Sequence, residues 1–390
     1  MHLAIVSPFP PNITGIGQYG YHVSAALAAS GAFSHITVLS GGSPRALPGA
    51  LRVEAGWSPE SSLAGWEIAR HIRELQPDLV WFNLGASVFG RSPLANLSGF
   101  LSLGLVRRMG IPTVVTLHEL VELADLPALK APGGPFARHG ARLLTSLGLQ
   151  ADVVCLTMQR YIDWLAVHRP TVLSRHIPIG AYNAPELLPA GPSPELLFFT
   201  TLAPFKGLEV LLDAFQMLQP RHPGLRLTIA GTEHARFPGY AGLLRNQYQG
   251  LNGVRWLGQV AEEAVRGLFL DAQLVVLPYN ASTGSSSILY QAATWGRPVV
   301  ASDLPETCAI TAESGLDVSF FERGNAADLA KVLEAGLASP EARRKQVEQN
   351  FAAMQRSLPQ DTCRTYLQAF NLALETCRSS KRIHLLPESM

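Results

Sequence analysis

Short apolar runs alternate with amphipathic stretches along most of the chain. In the first half, strand-like runs fall at residues 3–8, 35–40, 51–55, 79–84, 113–118 and 152–157. Helical periodicity at 16–29, 63–75 and 97–109 lies among them. Strands alternating with helices predict a parallel sheet covered on both faces. Residues 180–195 then break the rhythm with Pro, Ala and Gly, and read as an interdomain linker. The alternation resumes with strands at 196–200, 226–230, 254–257, 274–279, 298–302 and 317–320, and helices at 208–218, 262–270, 286–295 and 326–337. Two further helical patterns cover 340–357 and 361–378, and the tail from Ser379 has no pattern. The expected fold is α/β: two doubly wound, Rossmann-like domains facing across a cleft. Ligands in such sheets bind beyond the carboxyl ends of the strands.

One stretch, 274–305, carries more than architecture. It reads as a buried strand ending at Tyr279, turn material at 280–284, a helix opening at Ser285–Ser287, a glycine stop at Gly296 and a second β-branched run. That order aims the N–H groups of a helix N-terminus at the sheet's C-terminal edge, which suits a phosphate or diphosphate. An ordinary βαβ unit with a serine-capped helix is the plain alternative.

Composition narrows the class. A chain of 390 residues exceeds one average core, so two domains are expected: 1–183 and 184–358, with a C-terminal helix and tail at 359–390 packing back toward the first. Apolar content of 47% with 16% charged residues fits buried parallel sheets. A net charge of +1 argues against a nucleic-acid partner. Four scattered cysteines without a CxxC pair fit reduced thiols, and the N-terminus lacks the basic region of a signal peptide, so a cytoplasmic protein is expected.

Gly15-Ile16-Gly17-Gln18-Tyr19-Gly20 matches GxGxxG, but residues 8–14 separate it from the first strand. The second strand ends in Leu39-Ser40-Gly41-Gly42, without an acidic residue for a ribose hydroxyl. A dinucleotide reading is therefore set aside in favour of a glycine loop that lets a ligand approach the backbone. No HExxH, DxD, GxSxG or P-loop motif occurs, and no metal or cofactor is expected.

Three spaced features together resemble a known family. They are the glycine loop; Thr200-Thr201-Leu202-Ala203-Pro204-Phe205-Lys206-Gly207-Leu208; and Gly284 followed by Gln291-Ala292-Ala293-Thr294-Trp295-Gly296-Arg297-Pro298. With Ile229-Ala230-Gly231 and Val254-Arg255-Trp256-Leu257-Gly258-Gln259-Val260, they resemble the retaining GT-B glycosyltransferases of family 4, glycosyl transferases group 1. The resemblance implies metal-independent transfer of a sugar from a UDP- or GDP-type donor to a glycan, lipid-linked or small-molecule acceptor, in polysaccharide biosynthesis, with retained configuration. It places Lys206 on the donor phosphates and Gly284, Ser285, Ser286 and Ser287 around the diphosphate and sugar. Gln259 and Val260 fall at the base, Gly15, Gly17 and His118 near the reacting sugar.

The chain departs from the family where charge is expected. The two signature glutamates are Thr283 and Gln291, and the arginine accompanying the lysine is Thr201. Each lost charge-assisted contact typically costs roughly 1.5–3 kcal/mol. Two readings follow. In the preferred one, an active branch uses hydroxyl and amide contacts, with His118, Lys206 and Thr283 catalytic and Thr201 and Gln291 still lining the donor. In the other, a catalytically degenerate protein binds a sugar nucleotide or partners an active transferase. Residues 135–149 mix Arg138, His139 and Arg142 with a leucine face, which reads either as a helix packed on its own sheet or as a peripheral contact with the inner face of a membrane.

Overall fold

The computed structural model describes residues 1–10, 14–42, 51–131, 134–189, 191, 193–282 and 284–384, with side chains to 379. The chain forms two compact units. The first comprises Met1–Ala124, Gly133–Ile179 and Pro359–Met390; the second comprises Asp125–Pro132 and Gly180–Leu358.

The first unit runs β1 (His2–Val6), α1 (Gly15–Ala29), β2 (His35–Gly41), β3 (Leu51–Trp57), α2 (Ala64–Leu75), β4 (Leu79–Leu84), α3 (Pro93–Arg108), β5 (Thr113–Leu117), α4 (Pro135–Gly148), β6 (Val153–Leu156), α5 (Gln159–His168) and β7 (Ser174–His176). Its seven strands are parallel in the order β3-β2-β1-β4-β5-β6-β7. The central strands β4, β5 and β6 are buried at every position, and their sequences are apolar apart from Asn83, Thr113 and Thr116. The edge strand β3 is only partly covered.

The second unit runs β8 (Glu195–Phe199), α6 (Leu208–Leu218), β9 (Arg226–Ala230), α7 (Tyr240–Gln247), β10 (Val254–Gly258), α8 (Glu262–Asp271), β11 (Leu274–Leu277), α9 (Ser287–Thr294), β12 (Val299–Ser302), α10 (Pro305–Ser314), β13 (Ser319–Phe321), α11 (Ala326–Ala338) and α12 (Pro340–Met354). Six parallel strands lie in the order β10-β9-β8-β11-β12-β13. Its core joins Leu196, Phe198 and Val276 of the sheet to Leu211, Phe215 and Leu333 of the helices α6 and α11.

The alternation in the sequence is the architecture observed, with three differences. The segment read as a linker is packed on the second unit: Glu186 N donates to Thr294 O at 2.9 Å, Gly191 N to Leu270 O at 3.0 Å, and Arg266 pairs with Glu186 at 2.6 Å. Short elements with little periodicity, among them β7, α5, α7 and α10, did not stand out in the sequence. The last helix, α13 (Pro359–His384), runs beyond Ser379.

Helix α13 belongs to the first unit, packed on α1, β5 and β6. Tyr366, Ala369, Phe370 and Ala373 are buried at helical spacing. The Tyr366 hydroxyl lies 2.7 Å from both the Tyr19 hydroxyl and Thr116 Oγ1, and Thr116 Oγ1 accepts from Trp81 Nε1 at 2.9 Å. Burial holds the Tyr366 phenol far above its usual titration range. Four hydroxyl and indole groups from α1, β4, β5 and α13 thus satisfy one another without water. Removing one hydroxyl from such a chain leaves its partners short, a cost of about 1–3 kcal/mol. Tyr366→Phe should lower unfolding stability by that amount in chemical denaturation; an unchanged midpoint would show that the network contributes nothing net.

Candidate functional site

In the second unit the chain leaves β8 toward β9 on one side, and leaves β11 toward β12 on the other. The reversal opens a crevice between the carboxyl ends of β8 and β11, the usual ligand position in such a sheet. Both segments expected to hold a diphosphate emerge there, and they are bonded to each other. The N–H groups of Asn280 and Ala281 donate to Phe205 O at 2.9 and 3.1 Å. Gly207 has φ +66°, and a Cβ on it would overlap the Pro278 carbonyl, so only glycine fits the contact. Lys206 closes a single 3₁₀ turn over Pro204–Lys206, half-buried, with Nζ 3.8 Å from the centre of the Tyr279 ring. Tyr279 is held in turn by Ser302 Oγ, which donates to its carbonyl at 2.6 Å. The cation is therefore placed on an aromatic face and offered to the crevice.

Sequence reasoning missed two neighbours. His234 and Arg236 follow β9, and the His234 ring meets Phe205 edge-on at 5.7 Å. The Arg236 guanidinium sits 5.2 Å from the Phe237 ring centre and 5.9 Å from that of Phe205, and donates to Leu129 O at 3.1 Å. Burial, then the nearby charges of Arg236 and Lys206, push the His234 imidazole down to about 4. Two cations thus lie close enough to help keep the imidazole neutral. The signal in the sequence was a His-x-Arg pair just past a strand end, beside Ile229-Ala230-Gly231.

The loop after β11 leads into α9. Ser282 Oγ donates to Gly284 O at 3.0 Å, and Ser286 is the N-cap of α9 without a side-chain bond to it. Gly284, Ser285 and Ser286 are half-buried and Ser287 is buried. Thr283 lies outside the described residues. Gln291 is buried, and its Nε2 has no hydrogen-bond partner, which leaves a buried donor unmet. Thr201 is half-buried beside the Leu202 bridge to Glu233. Gln259 and Val260 follow β10, two strands from β8, so the sheet brings Lys206 and the serine loop together and sets these two apart.

The first unit has the same reversal between β1 and β4. Gly15 and Gly17 are not in a loop: they form the first turn of α1, capped by Thr14, whose Oγ1 accepts from Gly17 N at 3.0 Å. The glycine that close packing requires is Gly20, where a Cβ would overlap Ser7 Oγ. His118, just past β5, is buried, with Nε2 2.7 Å from Asn83 Oδ1 and its ring edge-on to Tyr19 at 4.9 Å. Asn83 Nδ2 donates to Ser7 Oγ and to Ile16 O, both at 2.9 Å. Those two bonds orient the amide, so its oxygen faces the ring and His118 carries its proton on Nε2. Burial holds His118 down to about 3, so it is neutral and keeps Nδ1 as an acceptor. Asn83 was not legible as a site residue, being one polar position in an apolar strand.

Residues 193–339 match the family described as Glycosyl transferases group 1. A 138-residue stretch is 26% identical to a phosphatidyl-myo-inositol mannosyltransferase of Propionibacterium freudenreichii, covering 35% of this chain and 33% of that protein. The chain spans about a third of the length of the curated relatives it matches. Among solved structures, Anabaena HepE in complex with UDP and glucose matches with a TM-score of 0.68 at 16% identity, covering 95% of this chain and 99% of that one. Sucrose-phosphate synthase from Thermosynechococcus elongatus matches with a TM-score of 0.69 at 17% identity, covering 98% and 99%. The two parallel-sheet units are those of the GT-B fold, and the second carries the Glycosyl transferases group 1 segment.

The His118 environment has a pH signature. Its unfolded value, near 6.5, lies above the folded value of about 3. Above that range neither state holds the proton. As pH falls from 6.5 toward 3, the unfolded chain takes up a proton that the folded chain refuses, and stability drops by up to about 1.4 kcal/mol per pH unit. His118→Gln should therefore flatten the acid limb of a stability–pH curve measured by urea unfolding; an identical limb would contradict the buried neutral state.

Proposed function

We propose that the protein is a retaining, family 4-like glycosyltransferase that moves a sugar from a UDP- or GDP-type donor without needing a metal. The observation that supports it most is the crevice between β8 and β11, where two loops locked together by the Phe205 carbonyl present Lys206 and the N-terminus of α9. Breaking the bond from sugar to diphosphate develops negative charge on the leaving phosphate. Fixed cations and N–H donors lower that barrier because they need no rearrangement as the charge grows. Lys206 supplies one cation. Arg236, whose charge like that of Lys206 reaches the His234 ring, supplies the second and stands in for the arginine replaced by Thr201.

The remaining roles follow from hydrogen-bonding capacity. Gln291 both donates and accepts, and a ribose hydroxyl would satisfy its unpaired Nε2. Ser285, Ser286 and Ser287 offer hydroxyls, and Thr283 a further one, where the family has a carboxylate. Gln259 and Val260 hold the base through backbone groups. In the first unit, neutral His118 offers Nδ1 to a sugar hydroxyl, and the first turn of α1 at Gly15 and Gly17 lets a ligand approach the backbone. The acceptor is a glycan or a lipid-linked sugar, and the setting is cytoplasmic polysaccharide biosynthesis, with α4 making peripheral membrane contact. No helix among the described residues is long and apolar enough to cross a membrane.

The degenerate reading draws on Thr201, Thr283 and Gln291, which remove charge from the donor side. A panel of UDP- and GDP-sugars separates the two. Turnover in the wild type, with the anomeric configuration of the product retained by NMR, supports the enzyme; thermal stabilisation without turnover supports the binding protein. Lys206→Ala should lower donor turnover by about 100-fold or more. Arg236→Ala should lower it roughly 10- to 100-fold, with both variants melting as the wild type does. Wild-type kinetics in Lys206→Ala would remove the donor site from this crevice.

A further inference from the structure

Three helices lie side by side on one face of the first unit's sheet, with α3 packed between α2 and α4. Gly65 N donates to Ser98 Oγ at 3.1 Å where α2 crosses α3. Each helix follows a parallel strand, so its first turn lies at the sheet's C-terminal edge, the edge that carries His118. Each of those first turns exposes one large apolar side chain. Trp66 of α2 is 61% exposed, Leu94 of α3 66% and Phe136 of α4 93%. Leu101 and Leu143, each seven residues further along the same helix face, are exposed too. Scattered single exposures are ordinary, but large side chains on three adjacent helices form a patch of the kind that marks an interaction surface.

The charge on these helices identifies the occupant. They carry six arginines against two glutamates, in a chain whose net charge is +1. Helices α3 and α4 contain four arginines and no acidic residue. Three of the six have acidic partners: Arg70 with Glu74 at 3.9 Å, Arg107 with Asp152 at 3.0 Å, and Arg142 with Glu122 at 3.7 Å. Arg73, Arg108 and Arg138 are exposed and form no ion pair among the described residues. A two-fold contact with a second copy would set arginine against arginine. An anionic bilayer instead offers phosphates to the arginines and an acyl boundary to the apolar tips.

We propose that the outward face of α2, α3 and α4 docks on an anionic phospholipid surface, with Trp66, Leu94 and Phe136 entering the headgroup boundary and the arginines pairing with phosphates. This extends the α4 contact of the proposed function to a three-helix surface. It is independent of the transfer chemistry, because soluble donor turnover and vesicle binding are read separately.

Flotation with phosphatidylcholine vesicles, with and without phosphatidylglycerol, tests it. The wild type should float with the anionic vesicles at low salt, and lose them as salt rises. A Trp66→Ser, Leu94→Ser, Phe136→Ser triple variant should bind about ten-fold more weakly or worse, and Arg108→Glu with Arg138→Glu should lose the preference for phosphatidylglycerol. All five positions are exposed, so the far-UV spectrum and melting temperature should stay those of the wild type. Quenching of tryptophan fluorescence by brominated lipid reports insertion in the unaltered protein. The proposal is overturned if the wild type ignores anionic vesicles, if the triple variant binds as well as the wild type, or if tryptophan is unquenched. Sedimentation showing a dimer that the triple variant abolishes, with no vesicle binding, would assign the face to a second copy instead.

Discussion

Two backbone hydrogen bonds, from Asn280 and Ala281 to the carbonyl of Phe205, join the loop after β8 to the loop after β11. The candidate donor crevice depends on that junction. It fixes where the Lys206 turn lies relative to the start of α9, and Gly207 permits it by leaving room for the Pro278 carbonyl. Lys206 then has an aromatic face beneath it, and the unpaired amide of Gln291 is buried in the helix that follows the serine loop. A diphosphate site needs donors and cations that are already in place, because reorganising them during reaction would consume the stabilisation they provide. The junction supplies that rigidity from main-chain atoms.

The first unit uses side chains for the same end. Asn83 bonds to Ser7, to the carbonyl of Ile16 and to His118, so one amide ties together the ends of β1, β4 and β5 and the start of α1. Next to it, Tyr366 brings α13 into the buried hydroxyl chain with Tyr19 and Thr116. The last helix of the sequence is thus part of the scaffold that holds His118.

Much of the architecture was legible because parallel strands buried on both faces are largely apolar, as in 79–82 and 274–277, and because such strands alternate with periodic helices. Lys206 and the serine loop were legible because they stand at strand ends in a spaced pattern. What the sequence hid has physical causes. Arg236 is a loop residue whose relation to Lys206 exists only once β9 lies beside β8. Asn83 looked like a polar interruption of a strand. Gly15 and Gly17 suggested a loop, but Thr14 can cap a helix there, so the glycines became its first turn. The Pro-rich segment before β8 read as a tether, yet its polar backbone bonds to α8 and to the end of α9. The membrane-facing reading of α4 rested on its basic residues; Trp66 and Leu94 joined it only when α2 and α3 were seen beside it.

Whether a nucleotide occupies the crevice is the central question. Hydrogen–deuterium exchange, with and without saturating UDP or GDP, addresses it directly. Exchange should slow in the segments that follow β8, β9 and β11, at residues 204–207, 232–236 and 284–291, with little change at the opposite edge of the same sheet. Protection confined elsewhere, or none with either nucleotide, would contradict the placement of the donor between β8 and β11.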